Sequence, residues 1–463
     1  MTLRTVIDPD KVLADGLATL RTQFQVPTAF PADVLTAADE AAKRAPTQHA
    51  DRTAMPFVTL DPATSTDLDQ AFAIEVSGGD IVLHYAIADV AWFVDDGGAI
   101  DAEAWRRGET LYLPDGKASL HPPVLAEGAA SLLPDGPRPC VIFTVRVGGD
   151  GKAVLDGAER AVIRSRAKLA YETVIDADLS AGFRELSRRV QAAEDARGAA
   201  RVDPPEQVVE NKGNGHYELR FEPRLAAEDD NAALSLATNL AIADALQAHG
   251  TGLFRVMAGP DDHAVARLRH TASALGLDWP ETTDLKDYER TLTASDPRQA
   301  AFMLAIRRAG DGASYQPYRA GVTPWHAAMA ATYAQATAPL RRLADRYVVR
   351  ATLAVANGQP VPDVVTAAFE KLPPVMAKAD ALSGQVDRAV IDLAEAVMLQ
   401  ERVGETFAAV VTDIDDRGAR IQLNDLPVVA RVDTHQAEPG EKVAVKLLSA
   451  DPVQRAIKFL RMS

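Results

Sequence analysis

A chain of 463 residues is too long to fold around one hydrophobic core, so we expect about two to four domains. The net charge of −16 argues against a passive nucleic-acid coat protein, which is normally basic, but permits an enzyme whose acidic residues hold metal. No apolar run approaches the ~20 residues that cross a bilayer, no signal-peptide core follows Met1, and Cys140 is the single cysteine, so we expect a soluble cytoplasmic protein without disulfides or membrane contact.

Residues 1–50 carry a helical pattern. Leu13, Leu17 and Leu20 recur at helical spacing, and a second helix is predicted to begin near Pro31. We expect this segment to form a first domain, a small helical module or a partial helix-turn-helix.

From Phe57 the apolar pattern changes to a period of two, which is typical of strands. Strands are predicted over 57–61, 70–76 and 81–90, and residues 77–80 join the last two as a hairpin. Residues 61–70, which we call the acidic loop, therefore lead into that hairpin and are held by a sheet.

The acidic loop contains Asp61, Asp67 and Asp69, and no Lys or Arg occurs between residues 52 and 106. Carboxylates this close raise each other's pKa unless a cation intervenes. We therefore expect the loop to bind a hard divalent cation with oxygen ligands, Mg²⁺ or Mn²⁺. A solvated acidic turn is the alternative interpretation.

The later elements complete the expected architecture. Two more strands are predicted over 140–147 and 153–163, and a helix over 182–200. Further helices are predicted at 232–248, 262–275, 297–309, 339–356 and 375–402, with Pro373-Pro374 marking a break. Five short strands after Gly404 indicate a barrel of the OB type. We expect an α+β, multidomain protein with a mixed sheet surrounded by helices over 51–402 and the barrel over 403–463.

A second candidate site is rich in arginine. Pro339 fits the first turn of a helix, so we predict that a helix starts there. Arg341 then lies near a helix start, where a cation is poorly placed, and Arg342 and Arg346 share one face as like charges. Phosphate binding would resolve both conflicts, since guanidinium groups bind phosphate with paired hydrogen bonds. A solvated basic face is the alternative.

A third feature combines basic and aromatic side chains. Arg166 and Lys168 precede Tyr171, and Tyr112 is a further ring in an apolar segment. Charge for the backbone and rings for base stacking are what a single-stranded nucleic-acid track needs. Each tyrosine could equally be a half-buried core residue.

These segments, in this order, resemble the ribonuclease II/R family, whose catalytic module is the RNB domain and which carries a C-terminal S1 domain. The similar segments are residues 57–61, 67–69, 85–90, 110–114, 165–171, 337–342, 387–388 and 404–411. The resemblance covers about residues 51–463 and identifies the predicted barrel as an S1-type RNA-binding domain.

The resemblance implies hydrolytic 3′→5′ degradation of single-stranded RNA to nucleoside 5′-monophosphates, with Mg²⁺ or Mn²⁺ as cofactor, by a protein that we expect to be a monomer. By position, Asp61, Asp67 and Asp69 would hold metal, and the amide oxygen of Gln70 would bind it directly or through water. Asp69 could instead orient the attacking water, and Arg341 would neutralise the scissile phosphate. The residues expected to contact RNA are Tyr112, Tyr171, Arg166, Lys168, Arg341, Arg342 and Asp387.

The sequence departs from the family pattern at several places. Gln70 stands where the family has a fourth aspartate, and residues 231–233 lack its Glu pair, so that contact with the RNA 3′ end would be lost. The family's two N-terminal cold-shock barrels are expected to be absent, with the helical segment in their place. A catalytically inactive RNB-fold regulator that binds RNA therefore stays open as a second hypothesis. We favour the active enzyme, because three aspartates and Arg341 are retained.

Overall fold

The computed structural model describes residues 4–7, 11–200, 206–213, 215–222, 224–293, 296–310, 312–415, 418–434, 437–438 and 440–462. The N-terminal elements are β1 (Arg4–Ile7), α1 (Val12–Gln23) and α2 (Ala32–Ala41). Helix α2 buries Val34, Ala38 and Ala41 in the same core as Phe57. The division at residue 50 stays a prediction.

A five-stranded sheet forms the centre of the molecule. The elements of this part are β2 (Ala50–Asp51), β3 (Thr59–Asp61), β4 (Gln70–Ser77), β5 (Asp80–Ala88), α3 (Val90–Phe93), α4 (Ala99–Arg107), β6 (Leu111–Leu113), β7 (Gly116–Ala118), a π-helical turn (Leu125–Ala129), β8 (Arg138–Val147), β9 (Ala153–Ile163) and β10 (Lys168–Ala170). The strand order is β2-β9-β8-β5-β4, with only β2 pairing in parallel. The predicted strands are therefore confirmed, including the hairpin of β4 and β5.

Alternate residues of β5 enter two different cores. Leu83 and Tyr85 pack into the core shared with the later helices, whereas Ala86 and Ala88 face the core that contains α2. The sheet is thus covered on both faces, which explains why its strands read as nearly continuous apolar runs.

The helical part follows the sheet. Its elements are a 3₁₀ turn (Asp176–Asp178), α5 (Phe183–Arg197), β11 (Glu206–Gly213), β12 (His216–Glu222), α6 (Ala226–Ala248), β13 (Leu253–Val256), α7 (Asp262–Ala274), α8 (Leu285–Glu289), α9 (Pro297–Ala309), β14 (Ser314–Pro317), β15 (Trp325–His326), β16 (Ala331–Thr332), α10 (Leu343–Ala356), α11 (Asp363–Leu399) and a 3₁₀ turn (Gln400–Arg402). Helices α5, α6 and α10 pack against the central strands. Among the residues that the structure describes, no helix combines the length and apolar character needed to cross a membrane.

Two predicted helix boundaries were wrong. Helix α11 continues through Pro373 and Pro374, where we expected a break. Buried Leu372 and Met376 flank the prolines, so packing on the core outweighs the backbone hydrogen bonds that proline cannot make. Helix α10 begins at Leu343 rather than at Pro339, because the preceding residues form a separate turn.

The C-terminal strands close into a barrel. They are β17 (Thr406–Asp415), β18 (Gly418–Leu423), β19 (Val429–Val432), β20 (Lys442–Asp451) and β21 (Ala456–Arg461), in the order β17-β18-β19-β21-β20. The predicted five-stranded barrel and the α+β multidomain class are confirmed. Glu395 of α11 joins the barrel to the body, because its Oε1 accepts hydrogen bonds from the Val429 amide at 2.9 Å and from Gln207 Nε2 at 2.7 Å.

Candidate active site at the acidic loop

The acidic loop connects the end of β3 to the start of β4. Strand β3 pairs in parallel with β10, which places Ala170 beside Asp61. The amide of Tyr171 donates to the Asp61 carbonyl at 3.2 Å. This pairing brings the first aspartate of the loop and a predicted RNA-binding tyrosine to one place.

Asp61 presents a carboxylate oxygen without a partner. Its Oδ2 is buried and accepts no hydrogen bond from any described residue. Burial raises the pKa of Asp61 to about 6, although the Arg341 charge opposes that shift, and the Asp67 charge adds to it. A buried carboxylate in this state is a strong attractor for a cation.

Asp69 connects the acidic loop to residues 337–342, which we call the arginine turn. The Leu340 amide donates to Asp69 Oδ1 at 2.7 Å, and Arg341 Nε lies 3.5 Å from Oδ2. The Asp69 residue is 6% exposed, and burial raises its pKa to about 7, with Arg341 and the Leu340 hydrogen bond opposing the shift. The two sequence motifs therefore meet at one carboxylate.

Asp67 is held by groups that follow it in the chain. Lys117 Nζ donates to Asp67 Oδ1 at 2.8 Å, and the Tyr112 hydroxyl lies 3.3 Å from Oδ2. Lys117 also forms an ion pair with Glu127 at 3.0 Å. Burial alone would lower the pKa of Lys117, but its hydrogen bonds to these two carboxylates raise that pKa above the usual value. Lys117, which lies outside the interval that has no Lys or Arg, thus supplies a cation to the loop from β7.

Gln70 contributes an amide whose oxygen is already engaged. The Tyr85 hydroxyl donates to Gln70 Oε1 at 2.6 Å. Gln70 lies opposite Ile87 on β5, so Tyr85 is its diagonal neighbour on the same face of the sheet. Unlike the other three positions of the loop, this one brings no negative charge.

The arginines of the turn differ in their surroundings. The Arg341 side chain is 46% exposed beside Asp69, so it remains accessible to an anion. Arg342 instead donates to both oxygens of Asp345, at 3.0 and 2.6 Å, and its side chain is 17% exposed. Asp345 also accepts from the Ala338 amide at 2.9 Å and so shapes the turn. The predicted like-charge pairing with Arg346 is wrong, because Arg346 pairs with Asp101.

Arg342 is thus engaged by the protein itself, and its contact with RNA stays a prediction. The other two predicted basic contacts bond to the backbone of the protein itself. Arg166 Nη2 donates to the Ala54 carbonyl at 3.0 Å, and Lys168 Nζ donates to the Ala63 carbonyl at 2.7 Å. Asp387 lies exposed on α11. Burial raises the pKa of Glu109 to about 7, and the nearby Asp387 charge contributes to that rise.

Asn231 is a site residue whose role the sequence did not reveal. Its Nδ2 donates to the Tyr171 hydroxyl at 2.8 Å and to the Leu60 carbonyl at 3.1 Å. It therefore fixes the ring of Tyr171 to the strand that ends at Asp61. The absence of the family's Glu pair at 231–233 predicts the loss of a contact with the RNA 3′ end, and that stays a prediction. In the structure, Asn231 at this position holds Tyr171 in place.

A cavity of about 770 Å³ opens beside the loop. Its wall includes Gln70, Tyr171, Asn231, Tyr333 and Arg341. That volume lies within the range of small-ligand sites in proteins. The cavity therefore has room for a nucleotide next to Arg341 and Gln70.

The donor set fits a hard divalent cation. The carboxylates of Asp61, Asp67 and Asp69 and the amide carbonyl of Gln70 offer oxygen ligands, which Mg²⁺ and Mn²⁺ prefer. The unpartnered Asp61 oxygen and the raised pKa of Asp69 mark negative charge that the protein alone compensates poorly. In the part of the chain that the structure describes, no three acidic, histidine or cysteine side chains converge closely enough to enclose a metal ion. The fit therefore rests on the oxygen donors, and not on a preformed cage.

Two family profiles match the chain. The profile of the RNB domain matches residues 50–358, and that of the RNase II-type exonuclease C-terminal S1 domain matches residues 405–461. Ribonuclease R of Aquifex aeolicus is 26% identical over 434 residues, which cover 87% of this chain and 61% of that protein. The chain thus spans about 60% of the length of this curated relative.

Solved structures share the fold. Mycoplasma genitalium RNase R in complex with ribose-methylated single-stranded RNA matches with a TM-score of 0.86 and 19% identity, covering 98% of this chain and 78% of that one. Yeast Ssd1, described as a pseudonuclease, matches with a TM-score of 0.63 and 14% identity, covering 96% and 58%. The fold is therefore found both in an RNA-bound ribonuclease and in a pseudonuclease.

Proposed function

The chain belongs to the RNB-domain family of RNase II-type exonucleases, and from that premise we propose that it is a metal-dependent 3′→5′ exoribonuclease that releases nucleoside 5′-monophosphates from single-stranded RNA. One observation carries the proposal: Asp69 bonds to the Leu340 amide and lies beside the accessible Arg341. A carboxylate and a phosphate-binding cation thereby lie together, and Arg341 also lines the wall of a nucleotide-sized cavity. We further propose that the protein acts as a monomer in the cytoplasm.

The residues divide the chemistry among them. Arg341 binds the scissile phosphate and offsets the negative charge that develops on it. Asp61, Asp67, Asp69 and Gln70 would hold Mg²⁺ or Mn²⁺, which when bound lowers the pKa of a water molecule and assists departure of the 3′ oxygen. Tyr171, fixed by Asn231, lines the same cavity and supports the terminal nucleotide.

A second candidate function has its own support. An inactive RNA-binding protein would keep this fold, as the structural match to a pseudonuclease illustrates. Gln70 has no charge, and its oxygen is occupied by the Tyr85 hydroxyl. The retention of Asp61, Asp69 and Arg341 in one place favours the active enzyme, because a site released from catalysis has no need of a buried carboxylate with an unpartnered oxygen.

A digest of 5′-labelled single-stranded RNA distinguishes the two functions. We expect the purified protein to shorten the RNA from its 3′ end in Mg²⁺ or Mn²⁺, and to release nucleoside 5′-monophosphates. Gln70→Asp adds a carboxylate and is expected to raise the rate by about tenfold or less. If the wild-type protein binds RNA without shortening it in either metal and Gln70→Asp restores turnover, the inactive regulator is the correct function.

The raised pKa values predict how Mg²⁺ affects stability. In the folded protein the pKa of Asp61 is about 6 and that of Asp69 about 7, against 3.8 for an ordinary aspartate. The folded state therefore binds more protons, and the metal-free protein loses stability as the pH rises from about 4 to about 7. Because Mg²⁺ binds the ionised carboxylates, 10 mM Mg²⁺ is expected to raise Tm by about 2–5 °C at pH 8 and by less than about 1 °C at pH 5.

Thermal melts monitored by circular dichroism measure this difference. Asp61→Asn is expected to reduce the Mg²⁺ shift at pH 8, whereas Asp39→Asn, on the exposed face of α2, retains it. Equal Mg²⁺ shifts at the two pH values would contradict the role of these carboxylates.

A further inference from the structure

Lys117 is a cation built into the acidic loop. It extends from β7, and its ammonium group bridges Asp67 Oδ1 at 2.8 Å and Glu127 Oε1 at 3.0 Å. The side chains of Lys117 and Asp67 are 21% and 12% exposed, so this pair is more shielded from water than an ordinary surface ion pair. A positive charge thus occupies the oxygen of Asp67 that a metal ion would otherwise contact.

The hairpin that carries Lys117 is fixed from outside. Arg21 of α1 donates to both carboxylate oxygens of Asp115, at 2.9 and 2.7 Å, and to the Gly116 carbonyl at 2.8 Å. Lys117 follows directly on β7, and Ala118 packs in the same core as Leu17 of α1. The ammonium group is therefore held in position by the N-terminal helix, and its contact with Asp67 is not that of a freely moving surface lysine.

The remaining charge of the loop is sufficient for one divalent cation. Asp61 has an unpartnered oxygen, and Asp69 lies near it in the same site, where both carboxylates sense Arg341. Gln70 adds no charge. Many phosphoryl-transfer sites bind two divalent cations, which requires more anionic ligands than these two.

We propose that Lys117 neutralises Asp67 and stands in for the charge of a second metal ion. Asp67 is thereby withdrawn from the set of four ligands given above, and the site binds a single divalent cation at Asp61 and Asp69. The inference rests on the proposed function for the existence of the first metal. It also explains why Gln70 can replace the family's fourth aspartate. That aspartate would balance the positive charge of a second metal ion, and here the ammonium group of Lys117 takes the place of that ion.

Mn²⁺ binding tests the proposal without a need for turnover. Electron paramagnetic resonance or calorimetry on the purified full chain, without RNA, gives the number of bound ions and their affinity. We expect one Mn²⁺ per wild-type chain. In Lys117→Met, Asp67 is released to bind metal, so Mn²⁺ affinity should rise about tenfold, and Lys117→Met/Gln70→Asp should bind two ions. Lys117→Arg keeps the charge and should behave as wild type.

Matched variants and fold checks make each outcome decisive. Lys152→Met removes an exposed lysine in the turn between β8 and β9 and should leave Mn²⁺ binding unchanged. Two ions in the wild type, or the same affinity in Lys117→Met and Lys152→Met variants with native circular dichroism, would overturn the role of Lys117. If the Lys117→Met variant fails to fold, two Mn²⁺ in the Lys117→Arg variant overturn it instead. A wild-type protein that binds no Mn²⁺ and shortens no RNA overturns the proposed function itself.

Discussion

Asp69→Asn is expected to lower the rate of RNA shortening by about a thousandfold, within the 10²–10⁴ that a positioned acid–base group contributes. The amide keeps an oxygen that can accept from the Leu340 amide, as Asp69 Oδ1 does at 2.7 Å. It removes the negative charge beside Arg341 and the oxygen that would bind metal or water. The variant should therefore fold normally and still bind RNA.

Single-turnover digestion and thermal denaturation separate these effects. Because a neutral side chain at this buried position needs no compensating charge, we expect the Tm of Asp69→Asn to equal or exceed that of the wild type without metal. Asp39→Asn, an exposed aspartate on α2, is the matched control and should keep full activity. More than a tenth of the wild-type rate in Asp69→Asn would show that this carboxylate is not part of the reaction.

Asp345→Asn is expected to destabilise the protein by about 3–5 kcal/mol, the cost of leaving a buried charge without its partner. Asp345 is fully buried and accepts two hydrogen bonds from Arg342 and one from the Ala338 amide. Its neutralisation leaves Arg342 unpaired and loosens the arginine turn. Activity should fall as well, since that turn carries both Leu340 and Arg341.

A double variant tests whether the cost comes from the unpaired charge. Replacing the pair by apolar side chains, as in Arg342→Met/Asp345→Leu, removes both charges together and should cost less than Asp345→Asn alone. Urea denaturation gives the free energy of unfolding for each variant. An equal or larger loss in the double variant would mean that shape, and not charge, governs this position.

Much of the fold was readable from the period of the apolar residues. Strands β8 and β9 were expected over 140–147 and 153–163 and are observed over Arg138–Val147 and Ala153–Ile163. The pattern is strong because successive side chains of these strands enter two separate cores. A shift of the strand register by one residue would move every side chain into the wrong core. In the barrel, alternate residues of β20 instead enter a single core and the residues between them face outward, which also gives a period of two.

The contacts of the site were less predictable, because they join residues far apart in the chain. Lys117 and Asp67 are separated by 50 positions, and no local sequence pattern indicates that they pair. The start of α10 was misplaced because Asp345 bonds back to the Ala338 amide and holds the turn outside the helix. For Asn231, an acidic residue was expected by resemblance, so its hydrogen bond to Tyr171 had no sequence signal.

The hydrogen bond between Asp69 and the Leu340 amide also sets when the site can form. The two residues are 271 positions apart, so the acidic loop lacks its partner until the arginine turn has been synthesised. At roughly 5–20 residues per second, translation of that interval takes roughly 14–54 s. A chain made only as far as Ile163 therefore has every strand of the central sheet and the carboxylates of the acidic loop, but not the amide and the arginine that complete the site.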